Sequence, residues 1–229
     1  MGGDGGIGKT TLSKVFCDSP FMDYLETIGV DIHVKDIQID GVDGKLQIWD
    51  LSGQEHFRFM LPEFFKKSNG IILGFEVHRI QSFQNLGKWI TMFKLSQPQI
   101  PIFLIGTKLD LGYHPALTRE MVLDYVKEFN LVGYVETSAK EHINVGVPFR
   151  RILEHVKGFQ PGTGSIIFLS EEGEETFAEM AEEPEVMAQF TSTEIPERSV
   201  VWPPPAPEPA FQPAPPVPEP AFLPAPPVP

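Results

Sequence analysis

The sequence predicts an α/β fold in which a largely parallel sheet has helices on both faces. Over the first 158 residues, short apolar segments alternate with longer segments of helical periodicity. Two of the apolar segments, residues 70–77 and 100–106, are nearly continuous hydrophobic runs, as expected for strands that are buried on both faces. From residue 159 onward the alternation stops, so the folded domain is expected to end there.

The elements can be assigned in chain order from periodicity, turn residues and capping residues. We predict helices over residues 10–17, up to about 67, 82–95, 120–129 and 143–157, and strands over 30–39, 45–51, 70–77, 100–106 and 133–137. Thr118 is the predicted cap of the fourth helix, whose core-facing side chains are expected to be Met121, Val122, Tyr125 and Phe129. The last helix is expected to point Val147, Ile152, Leu153 and Val156 inward.

Composition divides the chain into three predicted parts. Residues 1–158 carry 19 acidic and 17 basic side chains, whereas residues 159–229 hold twelve acids and one base, so most of the net charge of −13 lies in the tail. We predict an acidic disordered linker over 159–202 and a proline-rich tail over 203–229, in which one eleven-residue repeat occurs twice. The repeats are a candidate ligand for a polyproline-reading domain, and a solvated spacer is the alternative.

The same composition excludes several functions. Because no basic stripe is present, binding to nucleic acid is not expected. The single cysteine, Cys17, cannot form an internal disulfide and suits a reducing compartment, so a cytoplasmic location is expected. No apolar run is long enough to span a bilayer.

The first fourteen residues contain a phosphate-binding motif. Residues 3–10 fit G-x-x-x-x-G-K-[ST] at every fixed position. The glycines allow backbone N–H groups to turn toward a phosphate, and the helix that begins here contributes its positive end. Lys9 can reach the β- and γ-phosphates and the Thr10 hydroxyl can serve Mg²⁺. The predicted phosphate-binding residues are Asp4, Gly5, Gly6, Ile7, Gly8, Lys9, Thr10 and Thr11.

Two later segments indicate the metal, the reaction and the base. Asp50 ends a strand and can hold the Mg²⁺ shell, the N–H of Gly53 can contact a γ-phosphate, and Gln54 can orient an attacking water. Asp110 can accept both hydrogens from the N1–H and N2 edge of guanine, a donor pair that adenine lacks. Its neighbours Thr107 and Lys108, together with Ser138, Ala139 and Lys140 at the end of the last strand, complete the predicted base site.

Taken together, these motifs resemble those of the Ras superfamily of small GTPases, and most closely its Rab branch. The resemblance covers residues 1–158 and includes Thr27-Ile-Gly-Val-Asp31, Trp49-Asp50, Gly53-Gln54-Glu55, Lys108-x-Asp110 and Glu136-Thr-Ser-Ala-Lys140. It implies a P-loop NTPase fold, GTP/GDP and Mg²⁺ as ligands, and slow hydrolysis of GTP by Lys9, Gly53 and Gln54. It also implies metal binding by Thr10, Thr27 and Asp50, and switch segments near residues 20–31 and 51–66 for exchange factors, activating proteins and effectors.

Several positions depart from the pattern of the family. Thr107 stands where most relatives have Asn, which is expected to change the link to the phosphate loop, and Ile32 stands where Rab proteins usually have Phe. No cysteine for a prenyl anchor follows residue 158, so no lipid anchor is evident. No arginine is identified as a finger in cis. Only Met1 and Gly2 precede the motif, where relatives carry a central strand, so we expect that strand to be missing and the sequence to be a fragment.

Two other functions remain open at this point. A non-hydrolysing scaffold could act through the acidic and proline-rich tail, although the presence of Gln54 argues against it. An ATP-dependent kinase could use the same phosphate loop, but Asp110 disfavours it.

Overall fold

The computed structural model describes residues 1–22, 27–54, 64–159, 165–170 and 173–175. The strands are β1 (Val30–Ile39), β2 (Val42–Leu51), β3 (Ile71–Glu76), β4 (Ile102–Thr107), β5 (Gly133–Glu136), β6 (Ile166–Ser170) and β7 (Gly173–Glu175). The helices are α1 (Lys9–Phe16), α2 (Ile80–Gln84), α3 (Leu86–Ser96), α4 (Arg119–Glu128) and α5 (Val147–Lys157), and a 3₁₀ turn covers Leu109–Leu111.

The described strands form two sheets. Strands β3, β4 and β5 are parallel and adjacent in that order, as the buried apolar runs predict. The second sheet has the order β2-β1-β6-β7 and is antiparallel throughout. The α/β class is therefore confirmed, and its parallel part comprises β3–β5.

Residues 1–2 lie between the two sheets. Gly2 donates its N–H to Ile72 O and accepts from Gly74 N, both at 2.9 Å, in a parallel bridge beside β3. On the other side, Leu51 N donates to Met1 O at 3.3 Å. These two residues thus occupy the position between β2 and β3 at which the resemblance places a central strand.

The helices cover both faces of the parallel sheet, as predicted. Along β3, Leu73 and Phe75 share one core with Trp89 and Phe93 of α3 and Val122 of α4. The alternate residue, Ile72, points to the opposite face and joins a second core with α1 and α5. This alternation follows from the two-residue repeat of a strand, and it explains why continuous apolar sequence was needed here.

Two predicted helices have different limits. The helix expected over 82–95 is divided at Asn85, whose backbone separates α2 from α3. The helix expected from residue 143 begins instead at Val147, because Pro148 lacks an N–H and is favoured in a first helical turn. The cap at Thr118 is present: its hydroxyl accepts from Met121 N at 3.3 Å.

Two predicted core residues are wrong. Met121 is 41% exposed and Val156 is 38% exposed. In α4 the buried residues are Val122, Tyr125 and Val126, so the apolar stripe lies one position away from Met121. Val156 lies in the last turn of α5, where the buried residues of that helix have ended at Glu154.

The prediction of disorder from residue 159 is wrong for β6. This strand pairs antiparallel with β1, matching Phe168 with Ile37 and Ile166 with Ile39. Ile166 and Phe168 are buried, and the Phe168 ring lies edge-on to Phe16 with 4.9 Å between centroids. Burial of these side chains and pairing of the strand offset the entropy lost when this short segment becomes ordered. The composition of the surrounding acidic sequence did not indicate the strand.

Other predictions fall outside the described residues. Most of the short helix expected to end near residue 67 lies in 55–63, and the proline-rich tail lies in 176–229. Among the described helices, none combines the length and the apolar character that crossing a bilayer requires.

Candidate nucleotide-binding site

The phosphate loop leads from the Gly2 bridge into α1. Gly6 and Gly8 have φ values of 73° and 95°, a left-handed conformation that glycine adopts without strain. Within the described residues, no hydrogen bond uses the N–H groups of Gly5, Gly6, Ile7 or Gly8. Free N–H groups at the start of a helix form an anion-binding cradle, and the loop therefore fits a phosphate group.

Lys9 is buried beside this cradle. Its Nζ donates to Gly3 O at 2.9 Å and to Asp4 O at 2.8 Å. Burial lowers the pKa of Lys9 to about 8, while the carboxylates of Asp50 and Asp4 act in the opposite direction. The predicted phosphate-contacting ammonium thus lies against the loop itself.

The side chain of Asp4 points away from the cradle. Its two carboxylate oxygens accept from Asn85 Nδ2 at 2.7 Å and from Trp89 Nε1 at 2.9 Å. Asp4 therefore joins the phosphate loop to the α2–α3 junction, and only its backbone remains to line the site. Asn85 and Trp89 were not identified from the sequence, although their i,i+4 spacing places both on one helix face.

The three predicted metal ligands come together. Thr10 Oγ1 lies 2.6 Å from Thr27 Oγ1 and donates to Asp50 Oδ2, which also accepts from Thr27 at 3.3 Å. The second carboxylate oxygen of Asp50, Oδ1, is buried and has no hydrogen-bond partner. Two hydroxyls and a carboxylate with a free oxygen match the oxygen donors that Mg²⁺ prefers, so this set fits the metal.

Gly53 approaches the phosphate loop closely. A Cβ at this position would lie 2.1 Å from Gly5 N and 2.6 Å from Asp4 O, so only glycine is accommodated. The next residue, Gln54, donates its backbone N–H to Ser52 Oγ at 3.3 Å, and residues 55–63 lie outside the described part. The structure therefore places the backbone of Gly53 at the cradle and Gln54 immediately beside it.

Thr107 links the base segment to the phosphate loop. Its hydroxyl lies 2.6 Å from Ile7 O and 3.0 Å from Phe75 O, both buried contacts. The substitution of Thr for the usual Asn therefore retains a link to the loop, made by a hydroxyl.

Lys108 crosses the edge of the loop. The backbone of Lys108 has a φ of 58°, and a Cβ placed on Gly8 would lie 3.9 Å from the Cε of Lys108. Its Nζ donates to Glu76 Oε2 at 3.1 Å. The aliphatic stem is thus positioned next to the phosphate loop, where a purine ring could pack on it.

Asp110 and the last loop form the base side of the site. Asp110 Oδ1 accepts from Ser138 Oγ at 2.7 Å. Two backbone bonds between Ser138 and Ile143, of 3.1 and 2.9 Å, close the loop that carries Ala139 and the exposed Lys140. The carboxylate is therefore held in place by one oxygen while the loop backbone lies next to it.

One further cation approaches the cradle. The Nη2 of Arg79 donates to Gly5 O at 2.8 Å. The sequence contains no motif that marks this arginine. Thr11, in the first turn of α1, is partly buried and makes no side-chain hydrogen bond within the described residues.

Known proteins resemble this chain in sequence. The Ras family model matches residues 1–158. Human "Ras-related protein Rab-26" is 34% identical over 158 residues, which are 68% of this chain and 61% of that protein. "GTP-binding protein YPTM1" of Zea mays is 32% identical over 163 residues, covering 70% and 78%. "Ras-related protein RABD2c" of Arabidopsis thaliana is 33% identical over 168 residues, covering 71% and 83%.

The chain thus spans about three-fifths of the length of the Rab-26 relative and more of the others. The family model covers more than half of the chain, and its range includes the phosphate loop, the three converging oxygen ligands and the base segment. The chain belongs to the Ras family and is a Rab-like small GTPase.

Proposed function

We propose that this protein is a guanine-nucleotide switch that binds GTP with Mg²⁺ and hydrolyses it to GDP and phosphate. One observation carries the proposal: Thr10, Thr27 and Asp50 meet in a single contact, with one carboxylate oxygen left free. Thr10 belongs to the phosphate-binding motif, Thr27 lies in the first segment that resembles a switch, and Asp50 immediately precedes the second. A site assembled from all three can respond to the state of a bound nucleotide.

Selection of guanine is assigned to Asp110. Its Oδ1 already accepts from Ser138, which fixes the carboxylate plane, and the carboxylate can accept from guanine N1–H and N2. Adenine would leave this carboxylate without those two donors, and an unpaired polar group in a binding site discriminates strongly. Thr107 holds the segment to the loop that binds the phosphates, so base and phosphate recognition are mechanically connected.

In the reaction, water oxygen forms a bond to the γ-phosphorus while the bond from that phosphorus to the bridging oxygen of GDP breaks. The water protons leave to the phosphate product and to solvent. Gln54 orients the water, and the Gly53 N–H and Lys9 bind developing negative charge. Thr10, Thr27 and Asp50 would hold Mg²⁺, which when bound would supply stabilisation of negative charge.

Slow intrinsic hydrolysis and stimulation by a partner also belong to this proposal. The segments around Thr27 and Gly53 are the surfaces that exchange factors, activating proteins and effectors would contact. Trp49 packs edge-on against Phe64 with 5.3 Å between the ring centroids and remains partly exposed, so its ring can contribute to the surface that partners contact. A cytoplasmic location and a reader for the proline-rich tail remain predictions.

The proposal is tested by the nucleotide that the full-length protein retains. Purified protein is denatured, the released nucleotide is identified by chromatography, and emptied protein is then titrated with GDP in competition with GTP and ATP. We expect bound GDP or GTP, and competition by GTP but not by ATP. Loaded with GTP and Mg²⁺, the protein should release phosphate in a single turnover.

An Asp110→Asn variant is the specific control. It should lose guanine affinity and gain affinity for xanthine nucleotides, because the amide can donate to the 2-oxo group that replaces the guanine amine. Equal competition by ATP would contradict guanine selection and favour a kinase. Binding of GTP without phosphate release would favour a non-hydrolysing scaffold.

A further inference from the structure

Arg79 precedes α2 and extends back to the phosphate loop. Its Nη2 donates to Gly5 O at 2.8 Å, and its Nη1 would lie 3.9 Å from a Cβ placed on Gly6. The guanidinium therefore contacts the carbonyl of the Gly5–Gly6 peptide. The N–H of that same peptide belongs to Gly6 and is among the free donors of the cradle.

Hydrogen bonds of its backbone and an ion pair of its side chain hold Arg79 in this position. Arg79 N donates to Glu76 O at 3.0 Å, and Ser82 donates to Arg79 O through its N–H and its hydroxyl, at 3.0 and 2.7 Å. Arg79 Nε lies 3.6 Å from Glu76 Oε2. A cation fixed by several contacts requires little reorganisation to act at the loop.

Glu76 links the two cations beside the loop. Its side chain is only 10% exposed and faces Arg79 Nε at 3.6 Å and Lys108 Nζ at 3.1 Å. One carboxylate is therefore shared between two positive groups, and the guanidinium also donates to Gly5 O on the loop, where bound phosphates would bring negative charge.

We propose that Arg79 is a positioning residue that acts in cis through the Gly5–Gly6 peptide. Donation to the carbonyl polarises the peptide and makes the Gly6 N–H a stronger donor toward phosphate, because linked hydrogen bonds strengthen one another. The charge-assisted bond to the carbonyl also fixes the orientation of that peptide. This inference rests on the proposed nucleotide function and adds to it a source of phosphate stabilisation within the chain.

The test compares three full-length variants: Arg79→Ala, Arg79→Lys and Arg79→Gln. Lys88→Ala is the matched control, because Lys88 is an exposed cation on α3. Protein labelled with ¹⁵N is loaded with GDP or with the β,γ-imido analogue of GTP, and the Gly6 amide proton shift is recorded. Single-turnover hydrolysis and nucleotide dissociation are measured on the same samples.

In Arg79→Ala we expect an upfield shift of the Gly6 amide proton and hydrolysis slowed about tenfold, an effect smaller than loss of a direct donor. Arg79→Lys should recover part of both effects, whereas the neutral Arg79→Gln should not. Lys88→Ala should match the wild type. Thermal unfolding shows whether each variant is folded. If Arg79→Ala is not folded, Arg79→Lys is compared with Arg79→Gln instead.

Several results would overturn the inference. The first is a Gly6 amide proton shift in Arg79→Ala equal to that in Lys88→Ala, whether or not hydrolysis is slower. The second is full hydrolytic activity of Arg79→Gln. In these cases nucleotide binding by the wild type would leave the proposed function intact. A wild type that binds no guanine nucleotide would instead remove the proposed function, and this inference with it.

Discussion

The hydroxyl of Thr107 donates to the backbone carbonyl of Ile7 across 2.6 Å, which ties the end of β4 to the middle of the phosphate loop. The same oxygen also lies 3.0 Å from Phe75 O. A single side chain thus connects two strands and the loop at a point that is 3% exposed. Nucleotide base and phosphates are expected to bind on either side of this contact.

Replacement of Thr107 by Val tests this link, because valine keeps the shape and removes the hydroxyl. We expect the free energy of unfolding to fall by ~1–3 kcal/mol, since buried carbonyls lose their donor. GDP should dissociate about tenfold faster than from the wild type. Thr91→Val is the control: its hydroxyl donates to Gly87 O at 2.8 Å in an exposed helix position. Equal effects of the two changes would contradict a special role for Thr107.

Gly53→Ala should weaken binding of the GTP analogue more than binding of GDP. A Cβ would lie 2.1 Å from Gly5 N, so the closed position of Gly53 over the loop becomes inaccessible. We expect GDP to bind nearly as in the wild type and the preference for the GTP analogue over GDP to fall at least tenfold, as measured by competition titration. Gly87→Ala, whose Cβ would meet Tyr125 at an ordinary 3.7 Å, should leave this ratio unchanged. An unchanged ratio in Gly53→Ala would show that Gly53 does not move onto the loop with GTP.

Phe168→Ala tests whether β6 belongs to the folded domain. The ring is fully buried against Phe16, so its removal should lower the free energy of unfolding by ~3 kcal/mol in denaturant titration. Leu95→Ala, at a position that is 81% exposed, should change it by less than about 0.5 kcal/mol. If the two variants had equal stability, residues 165–170 would not contribute to the core.

Cys17 should react slowly with alkylating agents. Burial raises the pKa of this thiol to about 11, with Lys35 acting in the opposite direction. The thiol therefore stays protonated at pH 8, and its rate with iodoacetamide should be about two orders of magnitude below that of a free cysteine, whose pKa is about 8.5. The rate should rise as the pH approaches 11. Since Cys17 is the only cysteine, mass spectrometry gives its rate directly.

The same protein in guanidinium chloride provides the control for this reaction, because unfolding restores the ordinary pKa. The raised pKa also has a consequence for stability. The neutral thiol is favoured in the folded state, so its contribution to stability is present below the unfolded pKa and declines as pH rises above about 9. Equal alkylation rates in native and denaturing buffer at pH 8 would contradict the raised pKa of the Cys17 thiol.

Much of the site could be predicted because its chemistry imposes residue types at fixed spacings. The phosphate loop needs glycine where φ is positive, as at Gly6 and Gly8, and a lysine next in sequence. Thr27 and Asp50 are remote in sequence from Thr10, and the family resemblance identified them as a group. The structure brings these three together as the resemblance implies.

Other features had no local signal. Arg79 contacts Gly5 from 74 residues away, and an isolated arginine in a loop could face solvent equally well. The strand β6 is five residues long within a segment whose average composition indicates disorder, so its apolar run Ile166–Leu169 was hidden by its neighbours. Met121 lies beside the buried stripe of α4, which consists of Val122, Tyr125 and Val126, and a helical repeat alone defines the edge of such a stripe poorly.

Pairing of β6 with β1 has a consequence for the β1–β2 hairpin. β6 pairs with residues 37–39, next to the turn of the hairpin, and β7 follows it as the outer strand of the sheet. Without β6, this part of β1 would present unpaired N–H and C=O groups, on which a strand of another chain can pair. The hairpin connects the segments that carry Thr27 and Gly53 at its other end. By covering the edge near the turn, β6 protects a hairpin that reaches the candidate site from edge-to-edge association with a second chain.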